Sequence, residues 1–400
     1  MEQPTDIRRF GTVHLPLIVV SRATTTAIYM TYPACLSVLL IAWQMTATQA
    51  GMVQGAFSLA FAISLLVSSF ACDRFGAIKV FHSATLAVVI ASFLVAIFAR
   101  SFESALVCLG LLGLAQGGTY TSSIIAVSAN VAPTKKGAAV GWVLAGMSAG
   151  YVVSIFLASA LVAVYDYGTA FAVTGALTVF GWVSGVYAMR NARDPVLVPG
   201  AGAEVSTPTM TRRARLLTLG YIGHCWELFG MWAWVPAFLA AAVLVEGSMS
   251  AIELGLWTAV TLHVTGFFSS FLSGYGADRF GARKVLIFFA ALGAVCSFSV
   301  GWLFEASVPV LFVITAIYGF AAIGDSSVLS SAMTDAVPAA RLGRALGVRS
   351  ILGIGTGAAA PIVFGAVLDG VEGVTQWGYA FSALSIGGLL ALVCAVALRR

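Results

Sequence analysis

The chain has 400 residues, of which 60% are hydrophobic and only 9% charged, with a net charge of +5 and a mean hydropathy of +0.98. Soluble domains carry about 25% charged residues, so a water-soluble fold is excluded and the solvent for this much apolar surface is lipid. The positive balance then has to be read by position, as a topology signal and not as a nucleic-acid-binding patch. Six cysteines, Cys35, Cys72, Cys108, Cys225, Cys296 and Cys394, are scattered through apolar runs without a CxxC pair. That spacing suggests neither a disulfide framework nor a metal cluster, only small core residues.

In chain order, "MEQPTDIRRF" is polar, and the apolar run after it is too long for a signal peptide and shows no clear cleavage site. A membrane-crossing helix needs roughly 20 apolar residues. Twelve such runs are present: 11–40, 50–71, 79–99, 104–131, 138–165, 168–189, 215–243, 252–276, 284–304, 308–336, 342–368 and 375–398. They are long and uniformly apolar, without the alternation of a barrel strand, so an all-α membrane protein is expected. The one long polar interval, between 190 and 215, is rich in Pro, Gly, Thr and charge. It divides the chain into a six-helix bundle at 1–189, a linker at 190–214 and a second six-helix bundle at 215–400.

An even number of spans puts both termini on one face. All 21 basic residues except Arg22 and Arg100 are assigned to that face, whereas the opposite loops carry Glu103, Asp166, Glu246, Glu253, Glu305, Asp369 and Glu372. The termini and linker are therefore expected to be cytoplasmic, in a multi-pass protein of a bacterial inner (plasma) membrane.

The two halves repeat each other. "SFACDRFGAIKV" follows the second span and "GYGADRFGARKV" the eighth, so that Asp73 and Asp278 lie 205 positions apart. Pro133 and Pro338 keep the 205 offset, and "YDYGTAF" parallels "TQWGYAF". Two parallel repeats are the arrangement of many secondary transporters, whose site lies between the halves near the midplane. The second loop resembles the G-x-x-x-D-R-x-G-R-[KR]-[KR] motif of the major facilitator superfamily. The first departs from it, with Ser69 for the leading Gly and Ala77 and Ile78 where basic residues are usual.

The resemblance implies a cytoplasmic latch that holds the halves together while the protein faces outward. Asp278 would meet the free N–H groups near Leu342 and Gly343, and Arg279 would pair with Asp335. In the first half Asp73 and Arg74 would meet the start of the fifth span and Asn130, the weaker counterpart of Asp335. Glycines at 137, 141, 146 and 150, and at 343, 347, 353 and 357, give the fifth and eleventh spans small faces for close packing.

Ionisable groups within the spans are costly and mark pathways. In the family the first, fourth, seventh and tenth helices line the cavity. Arg22, Gln116, Tyr120, Glu227 and Asp325 fall on these spans, Tyr29 and Tyr32 extend the wall, and His224 shares a helix face with Glu227. Arg22 would grip a carboxylate with two parallel donors, and Tyr29, Gln116, Tyr120, His224, Glu227 and Asp325 would complete the substrate site. Glu227, with His224 or Asp325, would carry the coupling proton, because a carboxyl in a dry site takes up a proton more readily than one in water. A permanent Arg22–Glu227 pair, an Asp325–Arg349 pair and a merely packed His263 are the structural alternatives. Trp226, Trp232 and Trp234 are expected to face lipid or neighbouring helices.

Proton-driven drug exporters of the family show a fifth-helix Pro where this chain has Tyr151. They also show a fourth-helix Arg where it has Gly113. These departures favour uptake of a small organic anion, coupled to an ion gradient, in practice protons, with no cofactor, by a monomer in the bilayer. Export of a metabolite or cationic drug drawn to Glu227 and Asp325 is the alternative. A nitrate-type substrate is disfavoured, with no second deep arginine expected. No phosphate-binding loop, nucleophile elbow or metal-ligand pair points to an enzyme, and no added domain points to a sensor.

Overall fold

A computed structural model describes residues 11–194, 211–247 and 249–398. Most of the expected linker, and the basic residues Arg8, Arg9, Arg399 and Arg400, lie outside them.

The first span is broken into α1 (Leu15–Thr25) and α2 (Thr31–Ala42). Single helices follow: α3 (Ala47–Phe75), α4 (Ala77–Phe98), α5 (Phe102–Ala129), α6 (Lys136–Val164) and α7 (Tyr167–Ala188). The second half opens with α8 (Arg212–Glu246). Its next span runs as α9 (Ala251–Ala259), a π-turn at Val260–Val264 and α10 (Thr265–Phe280). Then come α11 (Ala282–Val300) and α12 (Val308–Ala336). The eleventh span is again two pieces, α13 (Ala339–Gly357) and α14 (Ala360–Gly370), and α15 (Thr375–Ala397) closes the chain. Among the described residues eleven continuous stretches are long and apolar enough to cross a membrane, and α1 with α2 supplies the twelfth crossing. Helix starts follow local chemistry: Thr46, Ser101 and Ser250 each form a capping box, and the Asp166 side chain accepts from the Thr169 N–H at 2.6 Å.

The helices pack as two bundles, α1–α7 and α8–α15. Each has its own buried layer toward the basic face, around Phe81 and Val143 in one and around Phe289 and Met333 in the other. A larger apolar core joins the bundles. The contacts of α3 with α14, α2 with α8 and α6 with α9 join the bundles toward the face that charge asymmetry assigns to the outside, so the molecule is closed at its outer face. A further contact, of α3 with α13, lies deeper, where Ala62 and Ile354 share a buried cluster.

The α3–α14 contact has a specific cause. Gly51 lies against the backbone of Pro361 and Gly365 against that of Ala47, and a Cβ at either position would collide with main chain. The close approach carries Asp369, at the end of α14, onto the first turn of α3. Its carboxylate accepts from the N–H of Ala47 at 2.9 Å, the N–H of Thr48 at 2.8 Å and the hydroxyl of Thr48 at 2.6 Å. A charge there satisfies orphan donors and complements the helix dipole.

Among the described residues the Arg279–Asp335 half of the cytoplasmic latch is not made. Asp278, Arg279 and Asp335 are exposed, Arg279 lies over the Phe280 ring, and no ion pair joins Arg279 to Asp335 among the described residues. The side chains of Leu342 and Gly343 lie outside the described residues. In the first half the expected partnership is corrected. Asn130 accepts from the Arg193 N–H and donates to the Arg193 carbonyl, both at 2.8 Å, while Arg74 lies over Phe75 and Asp73 is exposed. Asn130 is an amide with both a donor and an acceptor, so it matches a main-chain pair better than a guanidinium. Asp194 caps the start of α4, accepting from the Ile78 N–H at 2.7 Å.

Only part of each glycine face serves packing inside its bundle, since Gly137, Gly141 and Gly347 have open space beside them. Gly146 and Gly150 admit α1, and Gly353 and Gly357 admit α8.

Candidate functional site

The break in the first span begins with three successive threonines. Thr25 and Thr26 turn their hydroxyls back on the carbonyls of Ser21 and Arg22, each at 2.7 Å, and Thr24 does the same on Val20 at 2.8 Å. Such back-bonding competes with the helical ladder and bends helices. The chain then turns through Ala27–Met30 before α2 resumes. The freed main-chain groups are satisfied from neighbouring helices: Gln116 of α5 donates to the Thr25 carbonyl at 2.6 Å, and the Met30 N–H donates to Ser154 of α6 at 3.0 Å. Irregular backbone inside a membrane is tolerated on these terms, and it recurs at transporter binding sites.

Arg22 sits one turn before the break and is 1% exposed. Its Nη1 donates to the Thr119 hydroxyl at 2.5 Å, and its Nε has no partner. Tyr120 and Tyr151 lie within electrostatic range of the guanidinium. Among the described residues no carboxylate pairs with it. A buried cation without a counter-charge is expensive. Tyr29 belongs to the aromatic wall above it, with ring centroids 4.7 Å from both Phe57 and Tyr151. Tyr32 is committed, its hydroxyl donating to the Ala50 carbonyl at 2.9 Å.

The second bundle holds the titratable groups. Nδ1 of His224 on α8 lies 2.7 Å from Oδ1 of Asp325 on α12, and both residues are buried. The His224 ring stacks on Tyr221 at 5.6 Å between centroids. The guanidinium of Arg349 from α13 also lies over Tyr221, 4.1 Å from the ring centroid. Glu227, one turn beyond His224, faces Ser297 of α11 and Tyr318 of α12, packed against Gly293. The result is a polar chain from Arg349 through Tyr221, His224 and Asp325, with Glu227 within electrostatic range of Asp325.

Several expectations are corrected. Glu227 does not meet Arg22: it points into its own bundle, between α8, α11 and α12, because the small Gly293 leaves room for the carboxylate there. Asp325 pairs with His224 and not with Arg349. Gln116 spends its amide on the helix break and is 1% exposed, so it props Arg22's helix instead of presenting itself to a substrate. The tryptophans do face neighbouring helices, within the expectation: Trp234 is fully buried, donating to the Pro361 carbonyl at 3.0 Å and stacking on Phe364, and Trp226 donates to the Ala383 carbonyl at 3.1 Å. Trp232 packs between the bundles against Tyr151 and His263. His263 is buried in the π-turn, its Nε2 without a partner.

The largest omission is Arg349, which the sequence reading placed with the cytoplasmic charges. It is 5% exposed and lies ten residues past the start of α13, about 15 Å into the bundle at about 1.5 Å per residue. The available signal was an arginine seven positions inside an apolar run.

Two pseudo-symmetric six-helix bundles, with broken helices and buried charges where they meet, define a multi-pass membrane transporter. The sequence profile of the Major Facilitator Superfamily matches residues 17–252 and 221–400, and the chain belongs to that family. Solved structures agree on the fold. A nucleoside transporter NupG variant superposes with a TM-score of 0.78 at 14% identity, covering 96% of this chain and 100% of that one. A bacterial homologue of the human lysosomal transporter Spinster, in an inward-facing and unoccupied conformation, superposes with a TM-score of 0.76 at 13% identity, covering 96% and 95%.

Among curated relatives, a cis,cis-muconate transport protein of Acinetobacter baylyi is 25% identical over 82% of this chain and 80% of its own length. A probable 4-methylmuconolactone transporter of Cupriavidus pinatubonensis is 23% identical over 80% and 77%. A probable chloroplastic anion transporter 6 of Arabidopsis thaliana is 24% identical over 59% of this chain, a match spanning about half of that protein's length. The chain is thus a secondary transporter of small molecules and not an enzyme.

Proposed function

We propose that this protein imports a small organic anion across a bacterial inner membrane, driven by protons, as a monomer without a cofactor. The observation that carries the reading is Arg22, a buried guanidinium with a spare donor and no carboxylate partner among the described residues. A carboxylate entering between the bundles supplies the missing counter-charge and can be held by a fork of parallel donors. Names of three relatives, which concern muconate, 4-methylmuconolactone and anions, support the same class.

The proton side of the reading rests on the second bundle. His224, Asp325 and Glu227 are buried titratable groups there, and Tyr221 links His224 to Arg349 at the junction of the bundles. An anion that neutralises the cations at that junction changes the field on His224 and Asp325, and so couples substrate to proton. Tyr120 and Tyr29 shape the site, and the Asp73–Arg74 and Asp278–Arg279–Asp335 clusters close the cytoplasmic face in the alternate state. Cation export is less well supported, because the acidic groups point inside a bundle while Arg22 and Arg349 have no carboxylate partner among the described residues.

The test is reconstitution into liposomes with an imposed pH gradient and a panel of radiolabelled carboxylates and lipophilic amines. A proton gradient directed inward should drive accumulation of at least one carboxylate, and a protonophore should abolish it. Accumulation of amines alone, or carboxylate flux indifferent to the gradient, would overturn the proposal.

A further inference from the structure

Arg349 is the buried charge that the reading above does not use as a binding group. It resembles Arg22 in every respect that matters for an anion. Each guanidinium is at least nine-tenths buried, at 5% and 1% exposure. Each is held by one hydroxyl, Arg349 by Ser330 at 3.1 Å and Arg22 by Thr119 at 2.5 Å. Each retains unpartnered donors, Nε and Nη1 on Arg349 and Nε on Arg22. Neither has a carboxylate partner among the described residues. The two come from opposite bundles, α13 and α1, and Tyr120 of α5 lies within electrostatic range of both. Stacking on Tyr221 fixes the plane of the Arg349 guanidinium, which is the preorganisation that bidentate recognition needs.

Two fixed, buried cations within electrostatic range of a common tyrosine each lack a counter-charge, a cost that two arriving negative charges would relieve. We propose that the substrate is a dicarboxylate whose two ends are gripped by Arg22 and Arg349, so that the bound molecule bridges the bundles. Arg349 is then the specificity residue that separates dianions from monoanions. The inference rests on the anion reading of Arg22 and sharpens it.

The experiment uses the full-length protein in detergent and measures binding of a matched six-carbon pair, hexanedioate and hexanoate, by thermal shift and calorimetry. The wild type should bind hexanedioate at least about tenfold more tightly than hexanoate. Arg349→Gln should lower hexanedioate affinity to near the hexanoate level while weakening hexanoate binding much less, and an unchanged Tm without ligand reports a folded protein. Arg349→Lys should restore part of the preference. Arg22→Gln should weaken both ligands. The bridging proposal fails if Arg349→Gln keeps the dianion preference, or if it weakens both ligands equally while Arg349→Lys restores nothing. A wild type that prefers hexanoate would sink the dicarboxylate and leave the single-arginine anion site standing, whereas a wild type that binds no carboxylate would remove both.

Discussion

The two bundles share an architecture yet treat buried charge differently. In the first, the deep charge is Arg22, a guanidinium that stays protonated at any physiological pH, surrounded by Thr119, Tyr120 and Tyr151. In the second, Arg349 is joined by His224, Asp325 and Glu227, groups that can gain and lose protons. The offset repeat makes the difference visible at one position, since Tyr120 in α5 is the counterpart of Asp325 in α12. On the proposed reading, a doubled ancestor has diverged into a half suited to holding an anion and a half suited to handling protons as well. The proposed coupling then has to cross the junction, and the route along which side chains touch is Arg349, Tyr221, His224 and Asp325.

The comparison can be broken most directly at Arg22. Arg22→Ala should reduce carboxylate uptake by at least about 100-fold, since a buried carboxylate left without its partner costs about 3–5 kcal/mol. Size-exclusion and thermal-shift profiles should stay close to wild type, and uptake at the normal rate would end the assignment of the binding load to the first bundle. Next in size is Glu227→Gln. Net uptake should lose its dependence on the pH gradient while counterflow exchange persists, measured in the same liposomes; an unaltered pH response would move the proton elsewhere in the second bundle, with Asp325→Asn as the next variant. A moderate effect is expected at the outer face. Asp369→Asn weakens the bond between α14 and the N-terminus of α3, so a cysteine placed at Thr48 should label several-fold faster with an impermeant maleimide than the same cysteine in the Asp369 background.

The smallest effect is expected at Asp166. The Thr169 N–H bonded to its carboxylate holds its pKa below the usual value. A depressed carboxylate pKa stabilises the fold above the ordinary carboxylate range, and that contribution fades as pH falls through it. Asp166→Ala should lower Tm by about 1 °C at pH 7 and by nothing measurable near pH 3; an equal loss at both would show that the cap does not act through its charge.

Much of the fold was legible because lipid leaves few choices. Long apolar runs have to be helices, and Gly274, Asp278 and Arg279 stand at the loop where the family resemblance is carried. The rest depended on direction, which a linear pattern does not contain. Glu227 and Trp232 lie five positions apart on α8, yet one points into its bundle and the other toward the other bundle. Arg349 read as a topology charge because the start of its helix, and so its depth, was uncertain by the few residues that separate a headgroup from a binding site.

Composition and the repeated loops by themselves determined that this chain is a twelve-span helical transporter with Arg22, His224, Glu227 and Asp325 inside the membrane, because hydropathy and backbone hydrogen bonding admit no other solution. Only the tertiary structure decided which of those charges meet. Helix rotation is set by packing, through small residues such as Gly293 and the break after Thr25. That packing put Asp325 with His224, turned Glu227 inward and brought a second arginine, Arg349, to the junction.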